Sequence, residues 1–209
     1  MYLPAHFEET RPEVLHAALR AHPLGLLITQ GGDGELAANP IPFILDAEAD
    51  GACVLRGHVA RANPLWREAR GDVNSLIVFQ GPQAYVSPGW YASKAEHGKV
   101  VPTWNYVMVQ ARGPLRVRDD AAWLHAFVTR LTDRHEAPRA TPWAVSDAPA
   151  DYIATMLRAI VGIEIPVAAL TGKWKVSQNR SAADREGVAR GLVEAGTADG
   201  VAMAPLVRP

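Results

Sequence analysis

A succession of short apolar segments separated by turn residues runs from Leu24 to Arg118, and this pattern constrains the fold more than any other feature of the sequence. The segment LGLLITQ predicts a strand, and the following GGDGE predicts a hairpin turn into a second strand, LAANPIPFIL. Pro40 and Pro42 lack the N–H that a central strand donates, so we expect the second strand to be an edge, to be bulged or to face a ligand. Further strands are predicted for ACVLRGHV, SLIVFQGPQAYVS and VPTWNYVMVQARGPLRVR.

Helix signals surround these strands. The predicted helices begin at a capping box over Thr10–Glu13, near Asn63, and at Asp120, Ala150 and Ser181. We expect the first helix to run from about Pro12 to Ala21, and a last strand, GIEIPVAALTGKWKVS, to precede the final one. About five or six mainly antiparallel strands with helices gathered at the ends predict an α+β protein whose sheet curls into a small barrel.

Length and composition are those of a globular protein, with 209 residues, of which 48% are hydrophobic and 21% charged. We therefore expect a single domain over residues 1–195 and a frayed C-terminal tail over residues 196–209. The net charge of -1 gives no overall attraction to nucleic acid or to an anionic membrane. With one cysteine, Cys53, and with no signal-peptide pattern or long apolar run in the sequence, we expect a cytoplasmic protein.

The motif GHVARANP places a cation and an amide where a strand leads into a helix. Arg61 there favours a phosphate contact assisted by helix N–H groups, while the alternative is a surface cation, with Asn63 capping the helix and Pro64 as its first residue. Sequence alone leaves these two interpretations open. His58 has no second ligand at metal spacing, so we assign no metal site.

Two further motifs combine polar and aromatic residues. In VPTWNY a hydroxyl, an indole and an amide follow one another at the start of a strand, where one side can pack while the other binds a ligand. In KWKVSQNR, Lys173 and Lys175 share one face if the segment is extended, which fits either a solvated edge or an anion site. Neither motif is a catalytic set, so catalytic residues stay unknown and any chemistry is expected to come from a bound cofactor.

The motifs MYLPAHF, NPIPF, GHVARANP, GPQAYVSPGWY, KVVPTWNYVMVQARG, AIVGIEI and GKWKVSQNR, in this order, resemble the PaiB-like family of FMN-binding negative transcriptional regulators. The resemblance implies a split β-barrel related to pyridoxamine-phosphate oxidases, with FMN as cofactor. It also implies a homodimer with the flavin at the subunit interface.

The resemblance also nominates flavin-binding residues. It implies that Arg61 and Asn63 hold the phosphate, that His58 lies beside the flavin, and that the NPIPF segment lies along the isoalloxazine. The VPTWNY motif would close the site, and the C-terminal motif would contribute a lysine and a glutamine. The nominated residues are Asn39, Ile41, Phe43, His58, Arg61, Asn63, Thr103, Trp104, Asn105, Lys175 and Gln178.

Three functions are compatible with this sequence. The first is a flavin-dependent or indirect regulator, because no helix-turn-helix pattern is present and the chain is slightly acidic. The second is a small FMN oxidoreductase of unknown substrate, and the third is haem binding through His58 or His97. We expect DNA binding to be weak at most, with local contacts limited to a cationic cluster of Arg130, Arg134, His135 and Arg139.

Overall fold

The computed structural model describes residues 1–47 and 52–208. The chain divides into two compact units. The first unit consists of Met1–His22, Phe79–Gln110 and Thr171–Pro209, and the second of Pro23–Val78 and Ala111–Leu170. The prediction of one domain over residues 1–195 stays a prediction.

The strands of the described residues are β1 (Glu8–Glu9), β2 (Leu24–Gln30), β3 (Leu36–Pro42), β4 (Ile44–Ala47), β5 (Cys53–Ala60), β6 (Asn74–Val86), β7 (Thr103–Pro114), β8 (Arg116–Arg118), β9 (Ile160–Pro166) and β10 (Ala169–Lys175). The α-helices are α1 (Pro12–Ala21), α2 (Leu65–Glu68), α3 (Ser93–His97), α4 (Ala121–Glu136), α5 (Ala150–Arg158), α6 (Ala182–Ala195) and α7 (Ala198–Val207). No helix among these residues is long and apolar enough to cross a bilayer.

Antiparallel sheets build the second unit. The first residues of β6 pair with β2, and β2 pairs along its whole length with β3, from Leu24↔Pro42 to Gln30↔Leu36. β3 is the outermost strand of this sheet, beyond β2, and this edge position is one that its prolines predict. A second sheet has the order β4-β5-β9-β8, and alternate residues of its central strands, such as Leu55 and Ile163, are fully buried.

In the first unit, β1 pairs with β10, and the strand order continues through the parts of β7 and β6 that belong to this unit. Helices α6 and α7 form a core with these strands, and its members include Val86, Leu192, Met203 and Val207. The expectation of a frayed tail after residue 195 is therefore wrong. Thr197 caps α7 by accepting a hydrogen bond from the Gly200 N–H, and apolar residues of α7 are buried in the core.

Most predicted helices and strands are confirmed, and the differences concern where they begin and where a predicted strand divides into two. The first helix spans Pro12–Ala21, but the capping box at Thr10 is wrong, because Arg11 holds the N-cap position and instead pairs with Glu9. The strand predicted for LAANPIPFIL divides at Phe43, whose N–H donates to the Pro23 carbonyl at 2.8 Å. The long fifth and last strands also divide, giving β7 and β8, and β9 and β10.

Candidate functional site

A cavity of about 520 Å³ in the second unit lies between the start of α2 and the edge strand β3. Asn39 of β3 and Asn63 before α2 both line it. Its other lining residues are Thr29, Gly31, Asp33, Glu35, Leu36, Ala37, Ala38, Pro64, Leu65, Glu68 and Ala69. We call it the Asn39–Asn63 cavity.

The two asparagine side chains hold each other in place. The Asn63 amide nitrogen donates to the Asn39 amide oxygen at 2.9 Å, and the Asn63 oxygen accepts from the Leu65 N–H at 3.0 Å. Asn63 therefore satisfies the backbone N–H of the first helical residue, although Pro64 and not Asn63 holds the N-cap position of α2. It still keeps one amide N–H, and Asn39 keeps its own NH2 group, for a polar ligand in the cavity.

Arg61 is engaged by the protein itself. Its guanidinium donates to both carboxylate oxygens of Asp119, at 2.8 and 2.5 Å, and to the carbonyls of Arg158 and Ile160. The hydrogen bonds that Arg61 donates to Asp119, together with the charge of this carboxylate, raise the pKa of Arg61. The role in phosphate binding stays a prediction, and a phosphate would have to replace Asp119 to be gripped by this fork.

Of the remaining cofactor candidates of the second unit, two are buried and His58 is half-buried. Ile41 and Phe43 are buried, and both lie against the position where Gly57 would carry a Cβ, at 2.9 and 3.2 Å. His58, the next residue of β5, projects to the opposite side of the strand and packs edge-on against Phe127 of α4, with ring centroids 5.8 Å apart. The structure therefore does not bring the His58 ring together with Ile41 and Phe43.

His58 is also electrostatically unusual. Its Nδ1 is buried and has no hydrogen-bond partner among the described residues. Burial lowers the pKa of the imidazole, which favours the neutral ring. This is the environment of a histidine packed in a core, while His97, the other haem candidate, is exposed and accepts from the Lys99 N–H through its Nδ1.

The candidates of the first unit meet around Lys175. The Lys175 ammonium donates to the Thr103 hydroxyl at 2.6 Å and to the Trp104 carbonyl. Gln178 does not point toward a ligand, because its side chain accepts from the Val176 N–H and donates to the Trp174 carbonyl. Gln178 thus fixes the turn after β10, whereas Lys175, Ser177, Asn179 and Arg180 of the same motif line a cavity.

Asn105 is buried and paired with Ser177 beside this lysine. It is 1% exposed, and its amide exchanges hydrogen bonds with the Ser177 hydroxyl at 2.9 and 3.3 Å. Ser177 has a φ of 67°, a conformation that a residue with a side chain adopts at a cost. Two residues of this region, Tyr91 and Arg180, were not predicted as ligand contacts, because only the tertiary structure brings them to the same cavity.

Trp104 presents an exposed indole. The residue is 49% exposed, and its ring lies edge-on to Tyr85 with centroids 6.1 Å apart and donates from Nε1 to the Gln83 side chain at 3.1 Å. These residues line a separate cavity of about 480 Å³ in the first unit. An oriented, solvent-facing aromatic pair can stack on a planar ligand.

The cationic cluster on α4 is partly neutralised. Arg130 pairs with Asp46, and Arg139 pairs with Glu136 at 3.0 Å. Each ion pair reduces the charge available to a nucleic-acid phosphate.

Comparison with known proteins identifies the family. Residues 1–169 match the protein family described as "Putative FMN-binding domain". The chain belongs to this family. The match includes the NPIPF, GHVARANP and VPTWNY motifs and confirms the PaiB-like resemblance, whereas the KWKVSQNR motif lies beyond the matched residues.

Relatives extend the comparison to the whole chain. The uncharacterized protein AN0679 of Emericella nidulans is 35% identical, with 100% of this chain and 96% of the relative covered. The protease synthase and sporulation protein PAI 2 of Bacillus subtilis is 30% identical, with 88% of this chain and 85% of the relative covered. The FAD and haem binding protein from Mycobacterium smegmatis superposes with a TM-score of 0.55 at 17% identity, covering 91% of this chain and 80% of that one. At this identity the likeness shows the fold alone, and the predicted α+β split-barrel class is confirmed.

Proposed function

We propose that this protein binds FMN and acts as a flavin-dependent regulator that does not itself read DNA. The observation that carries the proposal is the Asn39–Asn63 cavity, which is formed by two motifs inside the matched FMN-binding region. Its volume of about 520 Å³ falls within the range of small-molecule and cofactor sites. The similarity to PAI 2 supports the regulatory part of the proposal.

The residues of the cavity fit part of a flavin. The free amide hydrogens of Asn39 and Asn63 can donate to the carbonyl edge of a heteroaromatic ring, and Leu36 and Leu65 supply apolar contact. Bound FMN would supply one- and two-electron redox chemistry. The chain's own groups would orient the ring and limit the access of water.

The phosphate needs a donor away from the acidic side of this cavity. Asp33, Glu35 and Glu68 line it and would repel a dianion. Arg61 is our candidate for the phosphate contact, once the phosphate has replaced Asp119 as the partner of its guanidinium. Arg61→Ala should then weaken FMN and leave riboflavin unchanged, and calorimetry that returns equal losses for both ligands would contradict this contact.

Flavin binding itself is tested by reconstitution. Purified protein is unfolded, stripped of small molecules, refolded and titrated with FMN, riboflavin and FAD, while flavin fluorescence is recorded. We expect saturable binding with FMN preferred, a loss of at least about fivefold for Asn63→Ala, since one hydrogen bond contributes about 1 kcal/mol, and no change for the exposed control Asn74→Ala. Absence of saturable binding for all three flavins would refute the proposal.

We further propose a homodimer with the flavin at the subunit interface. Leu24, Leu26 and Leu36 are 63%, 39% and 72% exposed on β2 and β3, and such uncovered apolar side chains are typical of an interface. Light scattering should return twice 22.6 kDa for the flavin-loaded protein, and Leu26→Glu should shift the mass toward one chain. A wild-type monomer with bound flavin would exclude the shared site.

DNA binding by the isolated protein should be weak and non-specific. With the charge nearly balanced and Arg130 and Arg139 paired with acids, we expect a Kd no tighter than about 10⁻⁶ M at physiological salt. Nanomolar binding to its own upstream region in the presence of competitor DNA would favour direct repression instead.

A small FMN oxidoreductase is the second candidate function. The exposed, oriented Tyr85–Trp104 pair favours it, because a planar substrate can stack there. Anaerobic mixing of flavin-loaded protein with reduced nicotinamides separates the two functions. Rapid bleaching of the flavin, lost in Trp104→Ala, supports an enzyme, whereas slow bleaching unaffected by this change supports a regulator.

A further inference from the structure

A second, much smaller cavity in the first unit combines positive charge with an unsatisfied hydroxyl. It has a volume of about 50 Å³ and is lined by Phe7, Tyr91, Thr103, Asn105, Lys175, Ser177, Asn179 and Arg180. That volume holds a few waters or a single polar group of a ligand, and it excludes an aromatic ring. We call it the Tyr91–Arg180 cavity.

The cations around this cavity are not engaged in direct ion pairs. None of the ion pairs formed by the described residues includes Lys173, Lys175 or Arg180. Burial, followed by repulsion from Lys173 and Arg180, lowers the pKa of Lys175. Asp184 acts on Arg180 through its charge, but its carboxylate is occupied by the Ser93 N–H and hydroxyl, both at 2.9 Å. An anion placed here would relieve this repulsion.

Tyr91 supplies a donor without a partner. Its side chain is 3% exposed, and its hydroxyl has no hydrogen bond of normal geometry among the described residues. Burial raises the pKa of Tyr91, and the Arg180 guanidinium, 4.8 Å from the ring centroid, lowers it through its charge and through a contact with the hydroxyl oxygen, which leaves the O–H hydrogen without an acceptor. Leaving a buried hydroxyl unpaired is costly unless a ligand completes its hydrogen bonding.

The frame of the cavity is rigid. Asn105 and Ser177 lock each other, and Gln178 closes the turn after β10 with two hydrogen bonds to the backbone. This turn holds Ser177 at a positive φ and places Asn179 and Arg180 against the cavity. A pre-organised frame lowers the conformational entropy that binding would otherwise cost.

We propose that the Tyr91–Arg180 cavity binds the phosphate group of a ligand. Donors reach it from Tyr91, from Lys175 of β10 and from Arg180 beyond the turn, and donors from several directions suit a tetrahedral group better than a planar carboxylate. Two cations match its double negative charge. The phosphate belongs either to FMN, in which case this cavity and not Arg61 holds it, or to a second phosphorylated ligand, and the inference rests on the proposed function only for the first of these sources.

Titration of the full-length, flavin-free protein with inorganic phosphate, followed by calorimetry, tests the inference. We expect one saturable site that weakens by at least about tenfold in Lys175→Gln, since a charge-assisted hydrogen bond contributes about 1.5–3 kcal/mol. Tyr91→Phe keeps the ring and removes the hydroxyl, so it should weaken phosphate by about threefold or more while the protein stays folded. Lys94→Gln, on the exposed face of α3, is the matched control and should leave binding unchanged.

A parallel titration with FMN and riboflavin identifies the source of the phosphate. If Lys175→Gln weakens FMN and not riboflavin, the site holds the flavin phosphate. If FMN binding is unchanged, the site holds a second phosphorylated ligand. Phosphate binding without any flavin binding would refute the proposed function alone, whereas absent phosphate binding, or equal affinities in the wild type, Lys175→Gln and Tyr91→Phe, would overturn the inference.

Discussion

Asn63 offers the sharpest test of how the Asn39–Asn63 cavity is built. Its oxygen accepts from the Leu65 N–H at the start of α2 at 3.0 Å, and losing a cap-type hydrogen bond of this kind costs about 1 kcal/mol. Its amide nitrogen donates to Asn39 at 2.9 Å, and a net hydrogen bond is also worth about 1 kcal/mol. We therefore expect Asn63→Ala to lower the free energy of unfolding by about 2 kcal/mol. Asn63→Ser should lower it by about 1 kcal/mol, because a serine hydroxyl still caps but is too short to reach Asn39.

Urea unfolding of a double-mutant cycle separates the two contributions. Asn39→Ala alone should cost about 1 kcal/mol, and adding it to Asn63→Ser should cost nothing more, because both changes remove the same hydrogen bond. Equal losses for Asn63→Ser and Asn63→Ala would show that the cap contributes nothing. Additive losses for Asn39→Ala and Asn63→Ser would refute the amide pair.

Three further predictions concern stability. Burial lowers the pKa of His58, so protonation of this ring favours the unfolded chain. The stability that His58 contributes is therefore present above about pH 6.5 and is lost as the pH falls toward the folded-state pKa. His58→Leu should flatten the fall in Tm between pH 7.5 and 5, whereas the exposed control His97→Ala should not. Glu164 accepts hydrogen bonds from Arg56 and Arg118. Burial opposes its ionisation, but these hydrogen bonds lower its pKa. Glu164→Gln should therefore lower the free energy of unfolding in urea by about 1–3 kcal/mol at pH 7 and by progressively less below pH 4. Met203 is fully buried in α7, so Met203→Ala should cost about 2–5 kcal/mol, while a similar loss in the half-exposed control Val201→Ala would contradict specific packing of this helix.

Local sequence signals predicted helices and strands correctly where a single signal, such as hydrophobic alternation or a capping side chain, was present. The alternation of LGLLITQ predicts β2, and Ser181 caps α6 as its pattern predicts, accepting from the Asp184 N–H. The prediction of a capping box at Thr10 was wrong, because Arg11 occupies the N-cap position and its side chain pairs with the Glu9 carboxylate. Competing side-chain partners two residues away are not distinguishable from a capping pattern in sequence alone.

The helix α7 was missed for a different reason. Its sequence, ADGVAMAPLV, contains a glycine and a proline and has no polar face, so helical periodicity is weak. What stabilises α7 is the core that it forms with α6, where Met203 and Val207 are completely buried. Tertiary burial overrides local propensity here, and no window of sequence contains that information.

In the candidate site, the ion-pair partners of the basic residues could not be predicted from the sequence either. From the sequence, Arg61 and Lys175 are equivalent cations beside turn residues, and only their partners distinguish them. Asp119, 58 positions along the chain, takes up both arms of the Arg61 guanidinium, whereas Lys175 finds hydroxyl and carbonyl oxygens and no carboxylate among the described residues. A ligand phosphate has to displace Asp119 before it can contact Arg61, whereas Lys175, a desolvated cation beside another cation, can accept an anion without displacing a carboxylate of the described residues. Which basic residue can bind a phosphate is thus decided by long-range pairing, so the motif that carries the family resemblance and the group best prepared for an anion need not coincide.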